Sequence, residues 1–325
     1  MGWKPIYIFA LMLLHYSAFA QNNFMKLYGY SGVSEGSLAI KQTSDGGYII
    51  GGSGSGFMGY ALKTDSLGDT LWTKTYPFAN RIRAIVETPD GGYLFSSNYL
   101  IKTNSTGDTL WTRIQFGIIN WLDKTSDGGY ILAGSKNING FTDVLLIKIN
   151  SSYNELWLKT FGNINLSELA NEVQETTDGG FIVGGRKVNG STYVDVNSGW
   201  IYEWFDSWLI KTDSAGNQIW NVIYDTPDSA SEIKAVRQIN DGGYILAVEG
   251  LGIWGDPYPM YLIKTNSNGD TIWTKRYADG IIGSVVQTND GGYLIGGITP
   301  AYGAQFYDLL LLKTDSAGNI LWTRT

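Results

Sequence analysis

One pattern, repeated six times, constrains this chain more than any other property. A full copy reads Leu262-Ile263-Lys264-Thr265-Asn266-Ser267-Asn268-Gly269-Asp270-Thr271-Ile272-Trp273. Lys63, Lys102, Lys148, Lys211, Lys264 and Lys313 each stand nine residues before a tryptophan, at Trp72, Trp111, Trp157, Trp220, Trp273 and Trp322. Ahead of every copy comes Asp-Gly-Gly followed by Tyr or Phe, opening at Asp45, Asp90, Asp127, Asp178, Asp241 and Asp290. These openings lie roughly 40 to 60 residues apart, the period of a stacked β unit.

Within a unit the runs are short, aromatic and aliphatic, with no 3.6-residue apolar period. Asp-Ser-Ala-Gly-Asn at 213–217 and 315–319 has the chemistry of a tight hairpin, Asp opening the turn and Gly taking its left-handed position. Asp-Gly-Gly marks a second hairpin. Unit five therefore reads as four antiparallel strands at 235–239, 244–247, 261–265 and 271–277. A lone four-stranded sheet exposes two apolar faces, and stacking such sheets around an axis covers both. The chain is expected to be an all-β propeller of six four-stranded antiparallel blades, or seven if further units follow. The repeated tryptophan then wedges between blades, and the repeated lysine forms ion pairs or snorkels at blade edges.

Residues 1–20 read as a signal peptide, with Lys4 as the positive region, 6–14 as the apolar stretch and Ala18-Phe19-Ala20 before the cleavage point. That apolar run is short for a membrane span. Export is expected, with residues 21–325 as the repeat domain. His15, the only histidine, leaves with the leader, and the chain has no cysteine. Thiol nucleophiles, imidazole bases, His or Cys metal sites and disulfides are thereby excluded from the mature domain. A formal net charge of -7 argues against nucleic acid and anionic membranes as partners.

Phe24-Met25-Lys26-Leu27-Tyr28-Gly29 resembles the last strand of a unit, as in Trp157-Leu158-Lys159-Thr160-Phe161-Gly162. In a closed ring such an orphan strand can complete the final blade. The sixth unit already carries its own last strand at 321–325, so the ring either has a redundant edge strand or belongs to a longer array, and further units are expected.

Length varies mainly between the second and third strands: 186–207, 249–260 and 298–308 are long in units four to six, while unit two has almost nothing there. These insertions should crowd one rim. Unit four brings Tyr193, Trp200, Tyr202, Trp204 and Phe205 to it, unit five Trp254 and Tyr258, and unit six Tyr302, Phe306 and Tyr307. Exposed aromatic rings beside carboxylates and amides suit sugar faces or a protein partner, unless they fold back over the blade as a small loop core. Trp208 belongs instead to the strand core. A glycosidase would need two acids about 5 to 10 Å apart, for which Glu203, Asp206 and Asp256 are the candidates. The turn at 266–270 lacks the distal acid of a calcium loop. Gln42, Glu87, Lys124, Glu175, Gln238 and Gln287, three before each Asp-Gly-Gly, should lie on the innermost strands.

Taken together, the Asp-Gly-Gly-Tyr-Ile-Ile-Gly-Gly, Leu-Ile-Lys-Thr-Asp-Ser-x-Gly-Asn and Leu-Trp-Thr-Lys-Thr-Tyr elements resemble the secreted β-propeller repeats of Bacteroidetes surface proteins over nearly the whole of 24–325. The resemblance implies export, often through a C-terminal type IX sorting domain not found here, and no defined catalytic residues. A looser likeness to quinoprotein propellers fails in spacing, since Asp65, Gly68 and Trp72 are one residue too close. The expectation is a secreted or cell-surface, non-enzymatic module without cofactor or metal, binding polysaccharide or a surface protein. Its rivals are a carboxylate-based glycan hydrolase or lyase and a purely structural module.

Overall fold

The computed structural model of the chain describes residues 28, 36–114, 117–163, 165–194, 201–226, 230–250, 258–300 and 308–325. Within them, twenty-four strands form six separate four-stranded antiparallel sheets, one per repeat. Each strand pairs with its neighbours in sequence, and the sheets are the blades of a β-propeller, as the repeat leads one to expect. Blade 5 illustrates the order, with strands Ser231–Gln238, Tyr244–Gly250, Pro259–Thr265 and Thr271–Asp279 running from the inner to the outer edge.

Burial follows from stacking. Successive side chains of a strand point to opposite faces, so a strand covered on both sides must be apolar throughout. Every residue of Tyr244–Gly250 is buried, whereas the outer strand Thr271–Asp279 is exposed or half-buried everywhere except at Tyr277. The core lies between blades: Leu262 of blade 5 packs with Ile282, Val285, Tyr293 and Leu312 of blade 6.

The two halves of the repeat signature meet in space. In blade 1 the Asp45 carboxylate accepts the Gly47 N–H at 2.9 Å and the Thr43 hydroxyl at 2.6 Å, and pairs with Lys63 Nζ at 2.9 Å. Lys63 also donates to the Thr64 carbonyl at 2.7 Å. Equivalent pairs join Lys102 to Asp90, Lys148 to Asp127, Lys211 to Asp178, Lys264 to Asp241 and Lys313 to Asp290. Gly46 has φ 82°, the left-handed region, and a side chain on Gly47 would strike the Thr64 carbonyl and the lysine head. The motif is thus a hairpin turn clamped by a lysine from the third strand.

Neighbouring blades are joined in three ways. Each tryptophan of blades 1, 3, 4 and 5 covers the glycine of the next blade's outer turn, as Trp72 covers Gly107. In blades 1, 4 and 5 the residue four on is a tyrosine that donates to that glycine's carbonyl, Tyr76 to Gly107 at 2.8 Å, Tyr224 to Gly269 at 2.6 Å and Tyr277 to Gly318 at 2.7 Å, whereas blade 3 has Phe161 there. On the innermost strands, Glu87 accepts from Ser44 of blade 1, Glu175 from Ser126, Gln238 from Thr177 and Gln287 from Asn240. These inner polar residues latch onto the preceding blade's turn instead of merely facing the axis. Near the axis Trp121 of blade 3 lies between Lys41 of blade 1, 5.7 Å from the ring, and Arg237 of blade 5, at 5.6 Å.

Candidate functional site

The two ends of the ring differ. One carries the clamped Asp-Gly-Gly turns and the tight outer hairpins. The other carries the loops between second and third strands, which are longest in blade 4. There the second and third strands, Phe181–Val194 and Ile201–Thr212, continue as a projecting hairpin with Tyr193 opposite Tyr202 and Thr192 opposite Glu203. In blade 2 the same strands are only Tyr93–Ser96 and Tyr99–Thr103.

The expected aromatic residues divide into three groups. Trp200, Trp254, Tyr302, Phe306 and Tyr307 lie outside the described residues, as does Asp256. Tyr193 and Tyr202 are backbone register partners on the two strands of the hairpin. Phe205 is buried at its base with Val188 and Ala230, flanked by Leu166 and Trp204, and Arg186 stacks 4.1 Å above its ring. Phe205 therefore holds the hairpin onto the blade. Tyr258, half-buried, accepts the Gly280 N–H at 2.7 Å through its carbonyl and ties the blade 5 loop to the strand connection. Trp208 is buried in the interface between blades 3 and 4.

Two polar clusters at this end escape notice in the sequence. Between blades 3 and 4, Asp143 and Glu168 converge on Gly162, where any side chain would strike both carboxyls. Lys187 stands 3.9 Å from Glu168 and 4.7 Å from the Trp208 ring. Burial raises both carboxyls above their ordinary values, and Asp143 raises Glu168 further despite Lys187. Beside them opens a polar pocket of about 320 Å³ lined by Asn163, Lys187, Trp208, Gln218 and Asn221. In blade 5, Glu232 lies opposite Glu249 across the first strand pair. Burial alone would raise Glu232, but Lys234 at 2.8 Å and Arg186 at 3.6 Å hold it below its ordinary value. Glu249 is buried without an equivalent partner and is pushed up to about 7, chiefly by burial, with Glu232 adding to the shift against Lys234. The readable signal was a carboxylate inside an apolar strand, as in Val248-Glu249-Gly250.

Asp206, a candidate acid, is raised by burial and accepts from Asn189 at 3.3 Å. It stands three positions from Glu203 on one strand. Among the described residues no group of three or more acidic, histidine or cysteine side chains could hold a metal ion.

No family model matches the chain, and no curated protein is similar to it in sequence. Solved structures resemble it in fold. A protein of unknown function from Bacteroides caccae matches with a TM-score of 0.52 and 13% identity, over 85% of this chain and 92% of that one. Sqt1 from Chaetomium thermophilum matches with a TM-score of 0.55 and 12% identity, over 89% of this chain and 71% of that one. At such identities the likeness is one of architecture, and it places the chain among β-propellers.

Proposed function

We propose that this chain is an exported, non-enzymatic binding module whose hairpin-bearing end receives polysaccharide. The carrying observation is the asymmetry of the two ends. Turns at one end are short and locked by Asp–Lys pairs, so sequence variation and projecting backbone are confined to the other. Phe205, Arg186 and Val188 give the blade 4 hairpin a small core, which supports it as a rigid platform. The mature chain should be titrated with soluble polysaccharides, following tryptophan fluorescence and new reducing ends in the same samples. A saturable change without new ends, lost in Trp200→Ala, supports binding. Silence across the panel would abandon polysaccharide in favour of a surface protein.

A second reading, a carboxylate-based glycan hydrolase, draws support from the raised carboxyls of Asp206, Asp143 and Glu168. It requires reducing ends that vanish in Asp206→Asn or Glu168→Gln.

A further inference from the structure

Blades 2 to 5 use both faces in packing. On the face toward the following blade, the residue two before the repeated lysine is Ala61, Leu100, Leu146, Leu209 and Leu262 in blades 1 to 5, each at most 2% exposed. In blade 6 it is Leu311, at 38%, and Leu309 on the same face is at 69%. Toward the preceding blade, the residue five before each Asp-Gly-Gly is Ile85, Leu122, Val173, Val236 and Val285 in blades 2 to 6, all fully buried. In blade 1 it is Ile40, 60% exposed. Tryptophans of blades 1 to 5 meet an aromatic ring of the next blade, and Trp322 meets none among the described residues. Blade 6 and blade 1 thus leave uncovered the rows that form the core everywhere else. Along the free face of blade 1 runs a groove of about 220 Å³ bordered by Tyr28, Ile50, Gly51, Tyr60 and Leu62.

Tyr28 says what belongs there. Its hydroxyl donates to the Gly68 carbonyl of blade 1 at 2.7 Å. Tyr76, Tyr224 and Tyr277 make the same bond to Gly107, Gly269 and Gly318, always from a blade's outermost strand to the outer turn of the next. Tyr28 therefore takes the outermost-strand position of a blade preceding blade 1. The sequence Phe24-Met25-Lys26-Leu27-Tyr28 aligns residue for residue with Trp72-Thr73-Lys74-Thr75-Tyr76. Blade 6 cannot be that blade, because it has its own outermost strand, Ile320–Arg324.

We infer that the seam between blades 6 and 1 seats a seventh blade, with one more copy of this repeat as its three inner strands and Tyr28 at its outermost position. The occupant has stated chemistry. An apolar residue five before its Asp-Gly-Gly and the following tyrosine cover Leu309, Leu311 and Trp322. An apolar residue two before its lysine covers Ile40. The inference does not depend on what the rim binds.

The chain has no cysteine, so Ile40→Cys and Leu309→Cys report on the seam and Leu262→Cys controls for folding. Thiol labelling should be compared in the full chain and in the same chain extended after Thr325 by a copy of residues 230–265. Expected are fast labelling at 40 and 309 in the first, slowing on the order of 100-fold in the second, and position 262 protected in both. Tyr28→Phe in the extended chain should restore part of the labelling. Equal rates at 40 and 309 in both chains would overturn the inference. So would slow labelling of the unextended chain: independent of concentration it means that six blades close on themselves, and concentration-dependent it gives the seam to a second copy.

Discussion

Five of the six repeated lysines, all but the half-buried Lys264, are buried among apolar strands, yet each of their heads finds a carboxylate and a backbone carbonyl. Lys102 is 1% exposed, bonds Asp90 at 2.9 Å and donates to the Thr103 carbonyl at 2.8 Å. Asp90 is largely solvated and can recover water if the lysine is lost, but the Thr103 carbonyl would be left without that donor. Lys102→Met, close in length, should therefore destabilise by roughly 1–3 kcal/mol, most of it the cost of the unmet carbonyl. Denaturant unfolding checks this, and an unchanged midpoint would show that the clamp is dispensable. Tyr153 is the informative exception among the turns. It stands where other blades carry glycine and takes φ 64°. Its ring packs against Trp111 at 5.2 Å and Tyr130 at 5.7 Å, contacts that offset a backbone cost of about 1–3 kcal/mol.

Between elements the inner-strand latches obey a simple pairing rule with one gap. Ser44 and Ser126 offer both an N–H and a hydroxyl to a glutamate of the following blade. Blade 2 has Pro89 at that place, which lacks an N–H, and blade 3 has Lys124, which lacks an acceptor. Installing Pro89→Ser together with Lys124→Glu should create the missing latch and stabilise by about 0.5–1.5 kcal/mol, with a coupling that neither single change supplies. A double-mutant cycle that is additive within error would count against this. Strand order and turn chemistry were legible in the sequence because they are local: glycine at a left-handed position and alternation along a strand need no partner. That the repeated lysine forms ion pairs was legible too, but its Asp-Gly-Gly partner and the latches were not, since the partners lie far apart along the chain. The same limit hid Asp143, Glu168 and Lys187, which come from different strands of two blades, and it left Phe205 on the rim until the packing at the hairpin base put it in a core.

At the scale of the whole ring, the two sets of carboxyls pull stability in opposite directions with pH. At Asp45 the Thr43 hydroxyl and then the Lys63 ammonium hold the carboxyl at about 2, and at Asp127 Lys148 and then Thr125 do the same. At Asp90 and Asp178 partial burial opposes the threonine and lysine partners but is outweighed, and both rest at about 2. Their folded values lie below the ordinary 3.8, so their contribution is present above that pH and is lost as pH falls toward about 2. Glu249 behaves in reverse. Its folded value, about 7, lies above its ordinary 4.5, so its contribution is complete below pH 4.5 and is lost as pH rises through about 7. Asp143, Glu168 and Asp206 are raised by burial and act in the same direction. Stability should therefore peak between about pH 4 and 5 and decline toward both neutrality and strong acid, as measured by urea midpoints across pH. Glu249→Gln should leave the unfolding free energy at pH 4.5 nearly unchanged and raise it at pH 8, by a few kcal/mol at most, with the urea midpoint moving in step. A maximum at neutral pH, unaffected by Glu249→Gln, would mean that water or a neighbouring group compensates the buried carboxyls, and that the clamps alone set the acid response.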